Sequence, residues 1–323
     1  MTDFPIDWRA VVDEAIRRRK EEGFTQRQLA LIAGVSVPTV NSFEQGETGL
    51  QFERVILILE ALGLFLRPSA PDSLGAFVHK ARRRWEELAS SLPENHPARQ
   101  PFGHSEYAYA IQGIRTPGLR VLRKALADLS SHSGLAPFWI PPRREAHIEP
   151  ETDIMEYWAA EGNANQHILD AANSDFWQLD GEGQVYLQRG YQEDGRGNLE
   201  PGTIFDLTSP IRRTAEFLLF AAGTARLFGG DSKAGIHLTA RYTGLEGRTL
   251  LSWTQPLLRI ALEQHHRART SRVDLDIVTD VGAVESDLVS LTETFLVPLY
   301  ERFDGYRLPT DLVAAQIREL PNR

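Results

Sequence analysis

A chain of 323 residues is long for one domain and comfortable for two, and its 42% hydrophobic and 24% charged content is ordinary for a globular protein. Cysteine is absent, which excludes disulfides, thiolate metal sites and cysteine nucleophiles and fits a reducing compartment. No charged-then-apolar leader opens the chain and no apolar run reaches membrane-spanning length, so a soluble, cytoplasmic protein with no membrane partner is expected; its net charge of −9 excludes a general attraction to polyanions.

In chain order, Asp7 can cap a helix through about Glu22, with Trp8, Val11, Val12, Ala15 and Ile16 on one face and Gly23 as its stop. The basic run Arg17–Lys20 lies in its last turns, placed either for phosphate contact or as cations at a helix C-terminus. Residues 24–46, FTQRQLALIAGVSVPTVNSFEQG, then read as two short helices with a tight turn between them. Thr25 and Gln28 have capping-box spacing, and Phe24 and Leu29 are placed as a hydrophobic staple. Leu29, Ala30 and Ile32 supply a buried face, and Gly34 ends the helix in a left-handed conformation. Ser36 restarts the chain as an N-cap, with Pro38 in the first turn and Val35 and Val40 as a second staple. Val40 and Phe43 point inward, leaving Val37, Pro38, Thr39, Asn41 and Ser42 outward, and a helix presented this way fits the major groove of B-DNA.

The spacing T-Q-x-x-L-A-x-x-x-G-V-S-x-x-T-V-x-x-F-E-x-G resembles the helix-turn-helix of phage-repressor and Cro-like (XRE-type) regulators, over about Trp8 to Leu64. The resemblance implies that Gln26 and Arg27 open the first motif helix toward phosphate or a base edge. It also implies that Val37, Pro38, Thr39, Asn41 and Ser42 face base edges, and that Gln45 meets phosphate near Gly46. Val37 and Pro38 depart from the long amides or arginines often found there and can offer a thymine methyl only apolar contact, which leaves Asn41, Thr39 and Gln26 as hydrogen-bonding readers. Residues 1–70 hold 8 Lys+Arg against 10 Asp+Glu, so affinity must come from a local basic surface and from dimerisation.

After the motif, Thr48 and Gln51 repeat the capping-box spacing before a helix through Phe52, Val55, Ile56, Leu59 and Leu62. Residues 67–71, RPSAP, read as a linker, and a helix follows from about Ser73 to Ser91 with Arg82, Arg83 and Arg84 on a solvated face or in contact with DNA flanks or a partner. Residues 92–97 are a second linker-like segment. Beyond residue 100 the patterns are mixed. Helices are expected at about 105–114, 118–130, 209–227, 284–303 and 309–320, an extended Pro-rich segment at 136–142, and a strand at 273–278. Hairpins are expected for 176–179 with 185–187, and for 237–242 with 249–253. The stretches RGYQED, YTGLEGR and PLYERFDGY resemble regions that follow Schlafen-like (AlbA-type) domains in bacterial proteins, which implies a sensing or assembly module without defined chemistry.

No H-E-x-x-H, P-loop or G-x-S-x-G motif is present. His265 and His266 are adjacent, so on a helix end they cannot chelate one ion; Phe228-Gly229-Gly230-Asp231 reads as a helix stop; Glu193, Asp194 and Asp304 read as solvated loop carboxylates. Asp274 and Asp276 share one strand face, an arrangement of paired acid and base that is also the wet face of an edge strand. No catalytic residue, metal ligand or cofactor is therefore assigned and no enzyme is expected. The aromatics Phe138, Trp139, Tyr157, Trp158, Phe176, Trp177, Tyr186, Tyr191, Tyr242 and Trp253 read as core, as pocket walls beside Arg189 and Arg241, or as a dimer interface.

The expected fold class is α+β and multidomain: an all-α helix-turn-helix bundle over residues 1–67, a linker and connecting helix over 68–99, and a larger α+β domain over 100–323. The expected function is that of a sequence-specific transcriptional regulator, a homodimeric repressor reading an inverted repeat in double-stranded DNA, with a C-terminal domain that dimerises and senses a small-molecule or protein signal. The alternative is a DNA-tethered effector or defence component whose C-terminal domain recruits a partner or acts on a substrate.

Overall fold

The computed structural model describes residues 7–64, 73–94, 96–114, 147–149, 154–158, 175–195, 198–252 and 265–320. The chain divides into two compact units, Met1–Pro71 and Asp72–Arg323. The helix expected at 118–130, the extended segment at 136–142, the 67–71 linker, and Phe138, Trp139 and Trp253 lie outside the described residues.

The first unit contains α1 (Trp8–Glu21), α2 (Gln26–Ala33), α3 (Val37–Glu44) and α4 (Phe52–Ala61). Local chemistry sets most of their ends. Asp7 accepts the Ala10 N–H at 3.1 Å, and Thr25 and Gln28 form the reciprocal capping box. Gly34 takes φ 66°, a left-handed conformation that L side chains rarely adopt, and Ser36 accepts the Thr39 N–H at 3.3 Å. At α4 the expected capping box does not form: Gln51 is the N-cap and makes no side-chain capping bond. Val12, Leu29, Ala30, Ala33, Val40, Phe43, Ile58 and Leu59 build the core. Ile32, expected on the buried face, is exposed, and Ala33 fills the place assigned to it; Phe52 at the start of α4 is 77% exposed.

The second unit is organised on a seven-stranded sheet of order β2-β3-β4-β5-β1-β7-β9, antiparallel throughout. Its strands are β1 (His104–Gln112), β2 (His147–Glu149), β3 (Ile154–Trp158), β4 (Phe176–Asp180), β5 (Val185–Gly190), β7 (Gly235–Thr243) and β9 (Arg272–Asp280). One face carries Tyr107, Tyr109, Ile111, Leu187, Ile236 and Leu238 into a large core with α6 (Ser209–Leu227), α7 (Val281–Tyr300) and α8 (Thr310–Arg318). The opposite face, with Ala108, Ala110, Trp158, Phe176 and Tyr186, is covered by α5 (Ser73–Ser90) through Leu74, Phe77, Val78 and Ala81. The connecting helix is therefore a packed layer of the second unit.

Three expectations of secondary structure for this unit are corrected. Residues 104–112 form a central strand in place of the helix expected at 105–114, because both faces are covered and the Tyr/Ala alternation is buried on both sides. The β4–β5 hairpin forms as expected, with Asp180 Oδ1 accepting the N–H groups of Glu182 and Gln184, but the hairpin expected for 237–242 with 249–253 does not. Here β7 lies between β1 and β9, while β8 (Thr249–Leu251) pairs in parallel with β6 (Ile204–Asp206). The turn after β7 passes so close to the entry of β1 that a Cβ on Gly244 would lie 2.1 Å from the Phe102 carbonyl oxygen. His265 and His266 are not on a helix: the Leu250 N–H donates to the His266 carbonyl at 2.9 Å, and the His266 ring meets Tyr306 edge-on.

The stretches RGYQED, YTGLEGR and PLYERFDGY converge. Arg248 is wholly buried and its guanidinium uses all five donors: Nε to Gly244 O, one terminal nitrogen to Asp194 Oδ1 and Ile204 O, the other to Asp194 Oδ2 and Phe102 O, at 2.6–2.8 Å. The Tyr191 ring lies 4.5 Å from the guanidinium carbon, and Phe205 stacks on Phe303. Beside this pair Glu193 Oε1 accepts the Asp206 N–H at 2.9 Å, and Asp206 Oδ1 accepts from the N–H groups of Thr208 and Ser209 at the start of α6. Glu193 and Asp194, expected to be solvated, are thus buried structural carboxylates.

Burial raises the Glu193 carboxyl to about 7, with the neighbouring Asp206 charge adding to it. A carboxyl raised in the folded state favours folding when protonated, so its contribution is complete below its ordinary value of 4.5 and is lost as pH rises through 7. Glu193→Gln is expected to flatten the fall in stability between those pH values, by up to about 3 kcal/mol, in denaturant titrations at pH 5 and pH 8. Arg248→Met, which strands the Asp194 charge, is expected to lower stability by roughly 3–5 kcal/mol in the same titrations at pH 7.

Candidate nucleic-acid interface

In the first unit, an ion pair between α1 and α3 positions the two motif helices. Arg19 Nε donates to Glu44 Oε1 at 2.5 Å and its second terminal nitrogen to Oε2 at 3.0 Å, while the first reaches the Phe24 carbonyl at 2.7 Å. Gln26 Nε2 donates to the same Glu44 Oε2 at 2.9 Å. One carboxylate at the end of α3 thereby holds α1 and the first residue of α2, and Arg19 holds the turn between them. Trp8 completes the frame, its indole N–H donating to the Gly46 carbonyl at 3.1 Å and its ring meeting Phe43 edge-on at 5.6 Å.

On this frame α3 presents one face outward. Val37 (42% exposed), Pro38, Asn41 and Gln45 are exposed and Ser42 is half-buried, positions that share one side of a helix at 100° per residue. The amides of Asn41 and Gln45 make no hydrogen bond among the described residues and remain available. Thr39, expected outward, is only 6% exposed, and its hydroxyl lies 2.8 Å from Ser36 Oγ. It belongs to the N-terminal cap of α3 and to the core side of the helix, since a hydroxyl three residues after the cap turns back onto it. Gln26 is half-buried and oriented by Glu44, and Arg27 beside it is exposed.

Charge is sparse and mostly paired. Arg9 faces Asp13, Arg17 lies between Glu14 and Glu21, Arg18 faces Glu22, and Arg19 faces Glu44. The basic run of α1 is therefore largely neutralised within the unit, and among the described residues Lys20, Arg27 and Arg54 stand without an ion pair.

The constellations in the second unit resolve into structural pairs. Asp274 accepts from Arg241 and Arg272; burial pushes its carboxyl up, but the two guanidinium hydrogen bonds outweigh this and hold it below the ordinary range. Asp276 is bound by His237 at 2.6 Å, so the two aspartates have separate side-chain partners and do not stand as a free acid and base. Arg82 and Arg84, expected on a solvated face, reach the buried carboxylates of Glu106 and Glu156, and Arg189 pairs with buried Asp175. Tyr157, Trp158, Phe176, Trp177, Tyr186, Tyr191 and Tyr242 are buried core residues. No group of three or more metal-ligating side chains gathers among the described residues. Asp304 holds the Arg267 N–H and Arg269 Nε.

The roles of Arg19 and Glu44 were not read from the sequence, although Glu44 stands in the F-E-x-G end of the motif. Its effect depends on a cation 25 residues earlier, which spacing alone does not reveal.

Residues 16–64 match the helix-turn-helix family model, and this segment is a helix-turn-helix domain. An uncharacterized HTH-type transcriptional regulator of Haemophilus influenzae is 35% identical over 54 residues, 17% of this chain and 55% of that protein. The chain thus spans about half the length of that relative. No solved structure matches the chain. No described helix is long and apolar enough to cross a membrane.

Glu44→Ala removes the partner of Arg19 and the anchor of Gln26 together. It is expected to destabilise the first unit by roughly 3 kcal/mol, read as a lower unfolding midpoint of that unit with the second unit's transition unchanged.

Proposed function

We propose that the chain is a homodimeric transcriptional repressor that lays α3 of its helix-turn-helix in the major groove of double-stranded DNA and reads an inverted repeat. The observation that carries this reading is the outward face of α3, where Asn41 and Gln45 hold unused amide groups on a helix anchored from behind by Glu44, Phe43 and Trp8. A side-chain amide can take adenine N6 and N7 together, so Asn41 is assigned to a base edge, with Ser42 beside it. Val37 and Pro38 are assigned to apolar contact with thymine methyls. Gln26, Arg27 and Gln45 are assigned to phosphates, where Glu44 holds the Gln26 amide in place. Thr39, being buried, is left out of the reading set.

With three unpaired cations among the described residues of the first unit and a net charge of −9 over the whole chain, sequence-independent attraction is weak. Affinity then depends on two heads engaging half-sites about one helical turn apart, which places dimerisation and signal sensing in the second unit. Support also comes from the Haemophilus influenzae relative, an HTH-type transcriptional regulator. Such a protein works where its DNA is, in the cytoplasm.

Footprinting of the purified protein on DNA from its own promoter is expected to protect two inverted half-sites. Asn41→Ala is expected to cost roughly 1–3 kcal/mol per half-site and to relax preference at one base position, with the salt dependence unchanged. Equal loss on operator and random DNA would remove Asn41 from the base-reading role, and a protein that protects no half-site would overturn the reading as a whole.

A further inference from the structure

The second unit contains a cleft of ≈ 270 Å³ where the N-terminal half of α5 stands away from β7 and β9. Its apolar floor is made by Val78 of α5, Ala108 of β1 and the buried ring of Tyr186 on β5; the small residues Gly75 and Ala108 leave the space open. Charged groups line the rest. Glu106 and Arg241 are direct cross-strand partners in β1 and β7, and Arg82 of α5 binds Glu106, so both guanidinium groups flank one sheet position.

Hydrogen-bond capacity decides what the cleft can accept. The two oxygens of Glu106 are engaged by Arg82 Nε and His104 Nε2, and those of Asp274 by Arg241 Nε and Arg272 Nε. Asp276 is bound through one oxygen to His237. On the donor side, Arg82 and Arg241 use only Nε among the described residues, and the Thr239 hydroxyl makes no side-chain bond there. Each carboxylate oxygen keeps a second lone pair, so acceptor capacity remains; the unused donors are two guanidinium ends, which suit the paired oxygens of a carboxylate, and one hydroxyl. The lining sets two arginines against three carboxylates, Glu106, Asp274 and Asp276, so net charge rejects polyanions and a single carboxylate is held only by the fork geometry of the guanidinium ends. A water occupies about 30 Å³, so a cleft of ≈ 270 Å³ takes a ligand of small size, just under the roughly 300–1,000 Å³ of drug-sized sites.

We propose that this cleft is an effector site for a small organic monocarboxylate. Its carboxylate lies against the terminal nitrogens of Arg82 and Arg241 and the Thr239 hydroxyl, and its apolar body lies on Val78, Ala108 and Tyr186. The proposal rests on the reading of the second unit as a sensor and gives that sensor a ligand class. The route to the DNA-binding unit is covalent: α5 begins at Ser73, and Leu64 is the last described residue before it. A ligand wedged against Gly75 and Val78 bears on the helix that leads into the helix-turn-helix unit, and it alters DNA binding to the extent that it prefers one position of that helix.

The test is calorimetric titration of the full chain with phenylacetate and with benzoate, each compared with its neutral amide and with inorganic phosphate. The expected result is saturable binding of at least one carboxylate, tenfold or more weaker binding of its amide, and no comparable binding of phosphate. Arg241→Gln is expected to weaken carboxylate binding at least tenfold; Thr239→Val, on a half-buried surface position, gives a milder loss and serves if the arginine variant unfolds. Absence of binding by both carboxylates, equal affinity for acid and amide, or unchanged affinity in both variants would overturn the site. Promoter-DNA binding is then measured with and without the bound carboxylate. Binding with unchanged DNA affinity would overturn the effector role while leaving the DNA-binding reading intact, whereas failure of the ligand-free chain to protect DNA falsifies that reading and leaves the measured cleft chemistry in place.

Discussion

A guanidinium buried without solvent is tolerated only when every N–H finds an oxygen, and the second unit is arranged around Arg248 so that all five do. Those oxygens come from the entry of β1, the 3₁₀ turn after β5, the start of β6 and the turn after β7. Satisfying one side chain thus sets where four segments meet. The same requirement explains the parallel β6–β8 pair: Arg248 immediately precedes β8 and holds the Ile204 carbonyl at the start of β6, so the two strands are placed side by side. From β6 the order passes through Asp206, which caps the start of α6 and thereby aims a helix that supplies much of the large core. Deep aromatic packing then follows, with Tyr191, Phe205, Tyr242 and Phe303 in edge and stacked contacts around the ion pair.

The first unit uses the same device on a smaller scale and closer to water. Glu44 is an acidic side chain in a domain assigned to DNA, and its charge is spent on Arg19 and Gln26. Its value is rigidity: it holds α3 against α1 and presets the Gln26 amide at the front of α2. Preorganised polar groups lose less freedom on binding, which suits a domain whose remaining cations are few. The same charge distribution leaves the first unit few cations outside ion pairs, which limits sequence-independent attraction to a polyanion.

The second unit is a sheet with unequal cover. One face is sealed by α6, α7 and α8, while α5 covers only part of the other and leaves β7 and β9 with a row of alternating charges. That partial cover creates the cleft, and the helix that forms its lip is also the element that carries the chain toward the DNA-binding unit.

The sequence by itself determined the helix-turn-helix. The capping box of Thr25 and Gln28, the left-handed stop at Gly34 and the cap at Ser36 are interactions within a few residues, and they form wherever those residues occur in that order. The β4–β5 hairpin was legible for the same reason, its turn being closed by Asp180 onto its own neighbours. Even here orientation went astray at Thr39, whose hydroxyl chose its cap over the surface, and at Ile32, which the periodicity placed inside. Only the tertiary structure decided that residues 104–112 are a strand, since a run buried on both sides has no polar face to mark its period. It likewise decided that Asp194 and Glu193 are buried and that Arg84 serves Glu156, pairings that span 54 residues for Asp194 with Arg248 and 72 for Arg84 with Glu156. A charged side chain carries no local sign of whether it will meet water or a distant counter-charge; that is settled when the layers close around it.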